Sequence, residues 1–220
     1  MVLVEQEERT AEEASGATAH EDASSACLVA CSTALQRILA PDTALAVWQR
    51  SLDADIVAQM ESLVLGEVDD LLFTSEIDAL ETGLAEAMAE GGYPDLPALR
   101  RDITMLAGQH ATIMGDRKVR VRLEVVETDA CRKFHADYVK VRTITTYLGQ
   151  GTQWIEAASA ETVGTPGGPD IHQLEPGEVG MFKGRLWQEA PTILHRSPPV
   201  GGSGEQRLVL VIDPPPHEDE

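Results

Sequence analysis

The spacing of apolar positions along the chain changes near Gly115. Between residues 51 and 115, apolar residues recur at intervals of three and four, which is the period of an amphipathic helix. Capping residues and glycines mark where these helices start and stop. The pattern predicts helices over residues 51–66, from a Ser75 cap to Gly91–Gly92, and from Pro97 to Gly115. Upstream of them, residues 43–48 predict a short strand that ends at Trp48.

After Gly115 the apolar positions alternate with polar ones, and β-branched residues become frequent, which indicates half-buried strands. Gly/Pro-rich turns separate the segments. Strands are predicted over residues 117–127, 138–149, 152–157, 171–174, 179–184, 192–197 and 206–213. Many short strands with such turns suggest a barrel or jelly roll. We therefore expect an α+β fold, in which residues 27–115 form a mainly helical support and residues 116–213 form the β core of one domain spanning 27–220.

The overall charge narrows the function classes. Lys and Arg number 17 and Asp and Glu number 37, so the formal net charge is −20. That balance argues against a nucleic-acid binder and against docking to an anionic membrane surface. The sequence lacks a continuous apolar run of about 18 residues, and its acidic start does not look like a secretory signal. Three cysteines are too few for a disulfide framework, so we expect a cytoplasmic protein.

Charge is also unevenly distributed. Residues 1–26 carry seven acids and one base, which predicts a solvated, disordered tail. Residues 116–148 instead hold eight basic and five acidic residues. A locally positive region can focus a small anion. The alternative is that Arg120 and Arg122 simply solvate the outer face of a strand.

The main chemical clue is the segment Phe134-His135-Ala136-Asp137. In an extended chain, side chains two residues apart project from the same face, so His135 and Asp137 could share a metal ion. A third ligand should come from elsewhere, and His195 lies 58 residues further on, in a predicted strand. Two histidines and one carboxylate on one face are typical of non-haem Fe(II) sites, which leave positions open for oxygen and a co-substrate.

Arg207 follows His195 by twelve residues, across a Gly/Pro-rich loop that would return the chain antiparallel. Its guanidinium could grip a carboxylate in a bidentate manner inside the same barrel. Each of these features is weak when taken singly, since such residues also occur as core histidines or exposed strand positions. The ordered set within an all-β half predicts a metal site.

These residues resemble the Fe(II)- and 2-oxoglutarate-dependent dioxygenases, most of all their prolyl-hydroxylase-like branch, over about residues 117–213. Similar segments include 134–137, Tyr147-Leu148, 151–154, 176–182 and the stretch from His195 to Leu210. The resemblance implies a double-stranded β-helix, a jelly-roll or cupin-like fold. It further implies Fe(II) bound by His135, Asp137 and His195, with Arg207 and Tyr147 holding the distal carboxylate of 2-oxoglutarate. The helical half has no counterpart that aligns, so substrate selectivity does not transfer.

The chain also resembles, more closely, a bacterial domain family of unassigned function. Its marks here are VWQR at 47–50, CRKFHADYV at 131–139, TYLGQGTQW at 146–154, FKG at 182–184 and HRSPP at 195–199. This second resemblance implies no activity.

The expected activity is oxidation of a C–H bond, by hydroxylation or a related reaction, of a small anionic metabolite or amino acid with O2. Arg142 could meet the substrate, or instead form an outward salt bridge, and Trp154 could line the pocket or pack in the core. Two alternatives stay open: a cupin-like metalloprotein that does not use 2-oxoglutarate, and a zinc-binding or zinc-homeostasis module. The zinc site would combine Cys27, Cys31, Cys131 and His135. A non-enzymatic interaction protein with acidic helices is a third.

Overall fold

The computed structural model describes residues 25–215, which form ten strands and three α-helices joined by short 3-10 turns. The strands are β1 (Ala26–Val29), β2 (Leu45–Trp48), β3 (Leu71–Glu76), β4 (Lys118–Val126), β5 (Val141–Leu148), β6 (Gln153–Glu156), β7 (His172–Gln173), β8 (Val179–Lys183), β9 (Ile193–Arg196) and β10 (Arg207–Asp213). The helices are α1 (Ala54–Ser62), α2 (Leu80–Glu90) and α3 (Pro97–Met114). None of the helices described is both long and apolar enough to span a bilayer.

The strands build two sheets of unequal size. The larger has seven strands in the order β1-β2-β8-β5-β10-β4-β3, and every neighbouring pair is antiparallel except β1 and β2. The smaller sheet has three antiparallel strands in the order β7-β6-β9. Because sequence neighbours are often not sheet neighbours, the chain crosses repeatedly between the two sheets.

The central strand β10 shows how the sequence sorts its side chains between two cores. Leu208, Leu210 and Ile212 belong to a cluster that includes the apolar faces of α1, α2 and α3. Val209 and Val211 point the other way and join a second cluster with residues of the smaller sheet. Since successive side chains of a strand face opposite sides, the larger sheet has a helix-covered face and a face that meets the smaller sheet.

Helix α3 ends as its sequence predicts. Pro97 occupies the first turn, where its missing N–H costs no hydrogen bond, and Gly115 closes the helix in the left-handed conformation with φ 73°. Leu99, Ile103 and Leu106 are buried against the sheet. The third predicted helix is thus confirmed, as are the cores of the first two and all seven strands predicted after Gly115.

The first half contributes more strand than its helical pattern predicts. β1 and β3 were not expected, and both lie at edges of the larger sheet. Ser75 does not cap α2, because it is the fifth residue of β3 and α2 begins only at Leu80. The disordered tail predicted over residues 1–26 overlaps the structure at its last residue, because β1 begins at Ala26. Residues 1–24 lie outside the described part of the chain.

Candidate metal centre and its cavity

His135 and His195 face each other because their backbones are paired. The His135 N–H donates to the carbonyl of His195 at 3.0 Å, and the His195 N–H donates back at 2.8 Å. Such an antiparallel pair places both side chains on one side of the ladder. The two imidazole rings lie 4.9 Å apart between centroids, in an edge-to-face arrangement. The ring of Phe182 from the larger sheet packs on His195 in the same way, at 4.7 Å.

Asp137 completes the group, as its position two residues after His135 predicts. Its Oδ2 lies 2.9 Å from His195 Nε2, and its Oδ1 lies 3.7 Å from His135 Nε2. One ligand atom from each of the three residues falls within 4.8 Å of the others, and within residues 25–215 this is the one such group of His, Cys, Asp or Glu residues. The structure therefore brings the three predicted ligands together.

Two hydrogen-bonding features of this group suit a metal ion. His135 Nδ1 lies 2.8 Å from the carbonyl of Lys133, to which it donates, so Nε2, which faces Asp137, is the nitrogen that could bind a metal ion. This is how backbone carbonyls commonly orient metal-binding histidines. Asp137 Oδ2 is buried but has no donor aligned for a hydrogen bond, although His195 Nε2 is close. A cation between these atoms would satisfy both.

The electrostatics keep Asp137 ionised. Burial alone would raise its pKa, but His135, His195 and Arg142 hold the pKa of this carboxyl well below its usual range. Burial lowers the pKa of His195, which favours the neutral imidazole that binds metals. At neutral pH the group therefore offers a carboxylate and at least one neutral imidazole.

Gly184 allows the chain to pass closely behind Asp137. A Cβ on Gly184 would lie 2.2 Å from the carbonyl oxygen of Val139 and 2.7 Å from that of Asp137. The following N–H, of Arg185, donates to the Asp137 carbonyl at 2.8 Å. The Phe-Lys-Gly sequence at 182–184 thus packs against His195 through Phe182 and against the Asp137 backbone through Gly184, contacts that the sequence alone did not reveal.

A cavity of about 380 Å³ opens beside the metal-binding group, between the two sheets. Its lining includes four of the predicted site residues. It also includes charged and hydroxyl-bearing residues that were not predicted as site residues. The predicted ones are His135, Arg142, His195 and Arg207, and the added ones include Asp70, Arg122, Glu124, Glu127, Thr152, Arg196 and Ser197. A cavity of this volume accommodates small molecules.

Arg207, at the start of β10, is 1% exposed and lines this cavity. Its Nε donates to the carbonyl of Gln150 at 2.5 Å, and its terminal nitrogens face the hydroxyls of Ser197 and, at 3.4 Å, Thr146. No carboxylate within residues 25–215 forms an ion pair with it. Burial accordingly lowers the pKa of this guanidinium to about 10.

Arg142 also lines the cavity, but its guanidinium is directed at two carboxylates. Its Nε and one terminal nitrogen bind the two oxygens of Asp213 at 2.7 and 2.8 Å, and the other terminal nitrogen lies 2.5 Å from Asp137 Oδ1. The salt bridges of Arg142 therefore point inward, toward Asp137 and Asp213, and differ from the outward salt bridge that was the alternative to substrate binding. These contacts suit a role in holding Asp137 better than the expected contact with substrate.

Tyr147 lies on the other face of the larger sheet from the cavity. Its side chain is buried among the helices, and its hydroxyl donates to Asp102 Oδ2 on α3 at 2.6 Å. Asp102 is itself bound by Arg50 in a bidentate ion pair at 2.6 and 2.8 Å. The pairing of β5 with β10 slips by one residue at this point, between Thr146 and Leu148. The structure therefore does not bring Tyr147 to the site expected for the 2-oxoglutarate carboxylate, and its neighbour Thr146 approaches Arg207 instead.

Trp154 packs in the core between the sheets, which was the alternative to a pocket position. It is 7% exposed, stacks on the ring of His172 at 4.1 Å between centroids, and does not line the cavity. The four ligands proposed for zinc are not brought together either. Cys27, Cys31 and Cys131 are free thiols, and none joins a metal-binding group within residues 25–215.

Solved structures whose chain trace is similar to that of this protein include oxygenases. The dioxygenase for auxin oxidation from rice is 13% identical, with a TM-score of 0.48, over 86% of this chain and 78% of that one. The Arabidopsis thaliana enzyme in complex with 2-oxoglutarate is 10% identical, with a TM-score of 0.45, over 89% and 93%. A bsmA homologue from Methylobium petroleophilum PM1 is 15% identical, with a TM-score of 0.48, over 84% and 92%. At these TM-scores the likeness is distant, and the function of this chain must be sought in its own site.

Sequence comparison gives a firmer result for the family than for the activity. No curated protein matches the chain. One family model, described as a protein of unknown function (DUF1826), matches residues 30–213, which is most of the chain and includes every residue of the metal-binding group and the cavity. The protein therefore belongs to the DUF1826 family.

Proposed function

We propose that this protein is a non-haem Fe(II)- and 2-oxoglutarate-dependent oxygenase that oxidises a C–H bond of a small molecule. One observation carries the proposal: in a group of two histidines and one carboxylate, the two histidines line the same cavity as a buried arginine that has no acidic partner among the described residues. The first feature suits the metal, and the second suits an anionic co-substrate.

His135, Asp137 and His195 would hold the metal. Three protein ligands of this kind leave coordination positions open, which distinguishes a catalytic site from a closed structural one. When bound, Fe(II) would supply the activation of oxygen, coupled to conversion of 2-oxoglutarate to succinate and CO2. In the overall reaction one atom of O2 enters succinate and the other enters the substrate, so that a C–H bond becomes C–OH.

Arg207 would bind the far carboxylate of 2-oxoglutarate. A guanidinium that is almost fully removed from water is costly to bury unless an anion compensates it. The hydroxyls of Ser197 and Thr146 lie beside it and could donate further hydrogen bonds to the same carboxylate. This assignment replaces Tyr147 by hydroxyl groups on the correct face of the sheet.

The fold proposed for this activity is the double-stranded β-helix, with the facing sheets as its two walls. The helices would support the larger sheet from outside, within one domain over residues 27–220. A cupin-like protein that does not use 2-oxoglutarate would share these walls and the three metal ligands. It would leave without a purpose the buried guanidinium of Arg207, which forms no ion pair among the described residues.

An amino acid suits the remaining cavity as a substrate. The lining has basic side chains in Arg122 and Arg196 and acidic ones in Glu124 and Glu127. Arg122 and Glu124 already pair with each other at 3.0 Å. Arg196 and Glu127 form no ion pair among the described residues, so the two charges of a zwitterion could find partners there. This chain's residues would then orient the substrate, balance its charge and exclude water while the metal supplies the chemistry.

The proposal is tested by adding Fe(II) to the metal-free protein without oxygen and titrating 2-oxoglutarate while recording the visible spectrum. Chelation of Fe(II) by the keto acid should give a weak band that saturates. His135→Ala should abolish the band by removing the metal, and Arg207→Met should shift saturation to higher 2-oxoglutarate concentrations. Arg100→Met is the matched control, because Arg100 pairs with the exposed Asp95 and does not line the cavity.

Two other outcomes of this titration would favour a different function. Iron binding without a band would favour the cupin-like alternative. Binding of zinc alone, lost in a Cys27→Ser/Cys31→Ser variant, would contradict the oxygenase proposal.

A further inference from the structure

We infer that Arg142 is a positioning residue that restricts Asp137 to a single metal-binding oxygen, by keeping the other oxygen in an ion pair. The inference deepens the proposed function and rests on it, because it assumes that Asp137 is a metal ligand. It assigns to Arg142 a role that neither its sequence context nor family membership indicates.

The two oxygens of Asp137 have different environments. Oδ1 lies 2.5 Å from a terminal nitrogen of Arg142, whereas Oδ2 lies 2.9 Å from His195 Nε2 and lacks an aligned donor. Both oxygens thus face a histidine, since Oδ1 also lies 3.7 Å from His135 Nε2, but only Oδ1 is engaged by a guanidinium. A metal ion between the histidines would meet Oδ2 with a free lone pair.

Arg142 is itself fixed from behind by Asp213. The bidentate pair between them, at 2.7 and 2.8 Å, sets the plane of the guanidinium and leaves only one terminal nitrogen to reach Asp137. Arg122 braces Asp213 from the opposite side at 3.3 Å. Arg142, Asp213 and Arg122 stand on β5, β10 and β4, which are adjacent strands, so the sheet itself holds the series in place.

The linked ion pairs of Asp137, Arg142 and Asp213 are largely shielded from water. The side chains of Arg142, Asp137 and Asp213 are 17%, 15% and 8% exposed. Ion pairs at exposed positions contribute little, but a pair in a poorly solvated site keeps its geometry and is not screened by salt. Asp137 therefore cannot easily turn its Oδ1 away from Arg142 toward a metal ion.

The positive charge of Arg142 next to Asp137 would not strengthen metal binding. The guanidinium repels a divalent cation and withdraws charge from the carboxylate that would bind it. The contact between Arg142 and Asp137 Oδ1 would instead determine whether Asp137 binds the metal through one oxygen or through two. With Oδ1 engaged, the protein supplies three donor atoms, and a bidentate co-substrate and oxygen can occupy the rest of a six-coordinate metal. With Oδ1 released, Asp137 could chelate the metal and fill a position that the co-substrate needs.

The test separates binding of the metal from binding of the co-substrate. Fe(II) affinity is measured by calorimetry without oxygen, and 2-oxoglutarate affinity is measured from the visible band of the iron complex. For Arg142→Met we expect Fe(II) binding at least as tight as in the wild type, together with 2-oxoglutarate binding weaker by roughly ten-fold, which corresponds to about 1.4 kcal/mol of binding free energy. Arg142→Lys should restore part of the 2-oxoglutarate affinity, because an ammonium can still engage one oxygen.

Arg100→Met is the matched control. It also removes an arginine from an ion pair, but Arg100 binds the exposed Asp95 and does not line the cavity, so both affinities should stay close to the wild-type values. If Arg142→Met does not fold because Asp213 loses its partner, Arg142→Met/Asp213→Asn removes the stranded charge and is measured instead.

The inference is overturned if the variant loses Fe(II) affinity while its iron complex binds 2-oxoglutarate normally, since Arg142 would then only support the metal site. Unchanged values for both affinities overturn it as well. Failure of the wild-type protein to bind Fe(II), or to give the band, would instead count against the proposed function, so the two failures are distinguishable.

Discussion

Replacement of Arg207 by Met should have opposite effects on stability and on co-substrate binding. The side chain is 1% exposed and has no ion-pair partner among the described residues, and burial lowers its pKa from 12.5 to about 10. A difference of roughly 2.5 pKa units corresponds to about 3 kcal/mol of cost for holding the charged form in the fold. At pH 7 the guanidinium is charged in both the folded and unfolded states, so this cost is fully present.

Methionine fills a comparable volume without a charge, and the loss of the hydrogen bond to Gln150 offsets part of the gain. We expect Arg207→Met without ligands to be as stable as the wild type, or up to about 3 kcal/mol more stable. The assay is urea unfolding, with and without 2-oxoglutarate and Mn(II), which replaces Fe(II) to avoid turnover. Ligand at 100 times its Kd should raise the wild-type free energy of unfolding by about 2.7 kcal/mol and leave the variant nearly unchanged.

Two results would refute this reasoning about Arg207. A variant destabilised by more than about 2 kcal/mol without ligand would mean that the guanidinium serves the fold, as a fully satisfied hydrogen-bonding group does. A variant that still gains as much as the wild type from 2-oxoglutarate would mean that the carboxylate binds elsewhere.

Three further predictions concern residues outside the metal-binding group. Tyr147→Phe removes a buried hydrogen bond to the Asp102 carboxylate, so the free energy of unfolding should fall by about 1.5–3 kcal/mol in urea titrations, with Fe(II) and 2-oxoglutarate affinities unchanged. His110 is 1% exposed, and burial, against a smaller opposing effect of a nearby carboxylate, lowers its pKa to about 4. The unfolded state therefore takes up a proton first as the pH falls below about 6.5, and His110 should account for about 2 kcal/mol of the stability lost between pH 7 and 5; this loss should be absent in His110→Met. Cys27→Ser/Cys31→Ser should bind Fe(II) like the wild type in calorimetry, and loss of metal from this variant would revive the zinc alternative.

The β half of the fold was predictable because its local signals agree with its tertiary environment. Alternation in β4 reflects one buried face, and the continuous apolar run of β10 reflects burial on both faces. Gly/Pro turns mark the ends of the strands. The edge strands β1 and β3 were missed for the opposite reason. Each is short and half-exposed, and its pairing partner, β2 for β1 and β4 for β3, is distant in the sequence.

The metal-binding group was predictable from spacing, but its surroundings were not. His135 and Asp137 are close in sequence, and their approach to His195 follows from strand pairing. Tyr147 was expected at the site from the resemblance alone. Alternation along β5 instead puts it with Val141 on the helix-covered face, opposite Ile144, which lines the cavity. Ser197 and Asp213 approach Arg207 and Arg142 only through tertiary contacts. No local pattern in the sequence distinguishes these residues from others of their kind.

The most direct test of the central claim is a crystal structure of the protein grown without oxygen in the presence of Fe(II) and 2-oxoglutarate. An anomalous difference map at the iron edge locates the metal without assumptions about its ligands. The account predicts one iron between His135, Asp137 and His195, bound by a single oxygen of Asp137, with the far carboxylate of 2-oxoglutarate on Arg207. Iron at another position, or 2-oxoglutarate whose carboxylate lies away from Arg207, would contradict it.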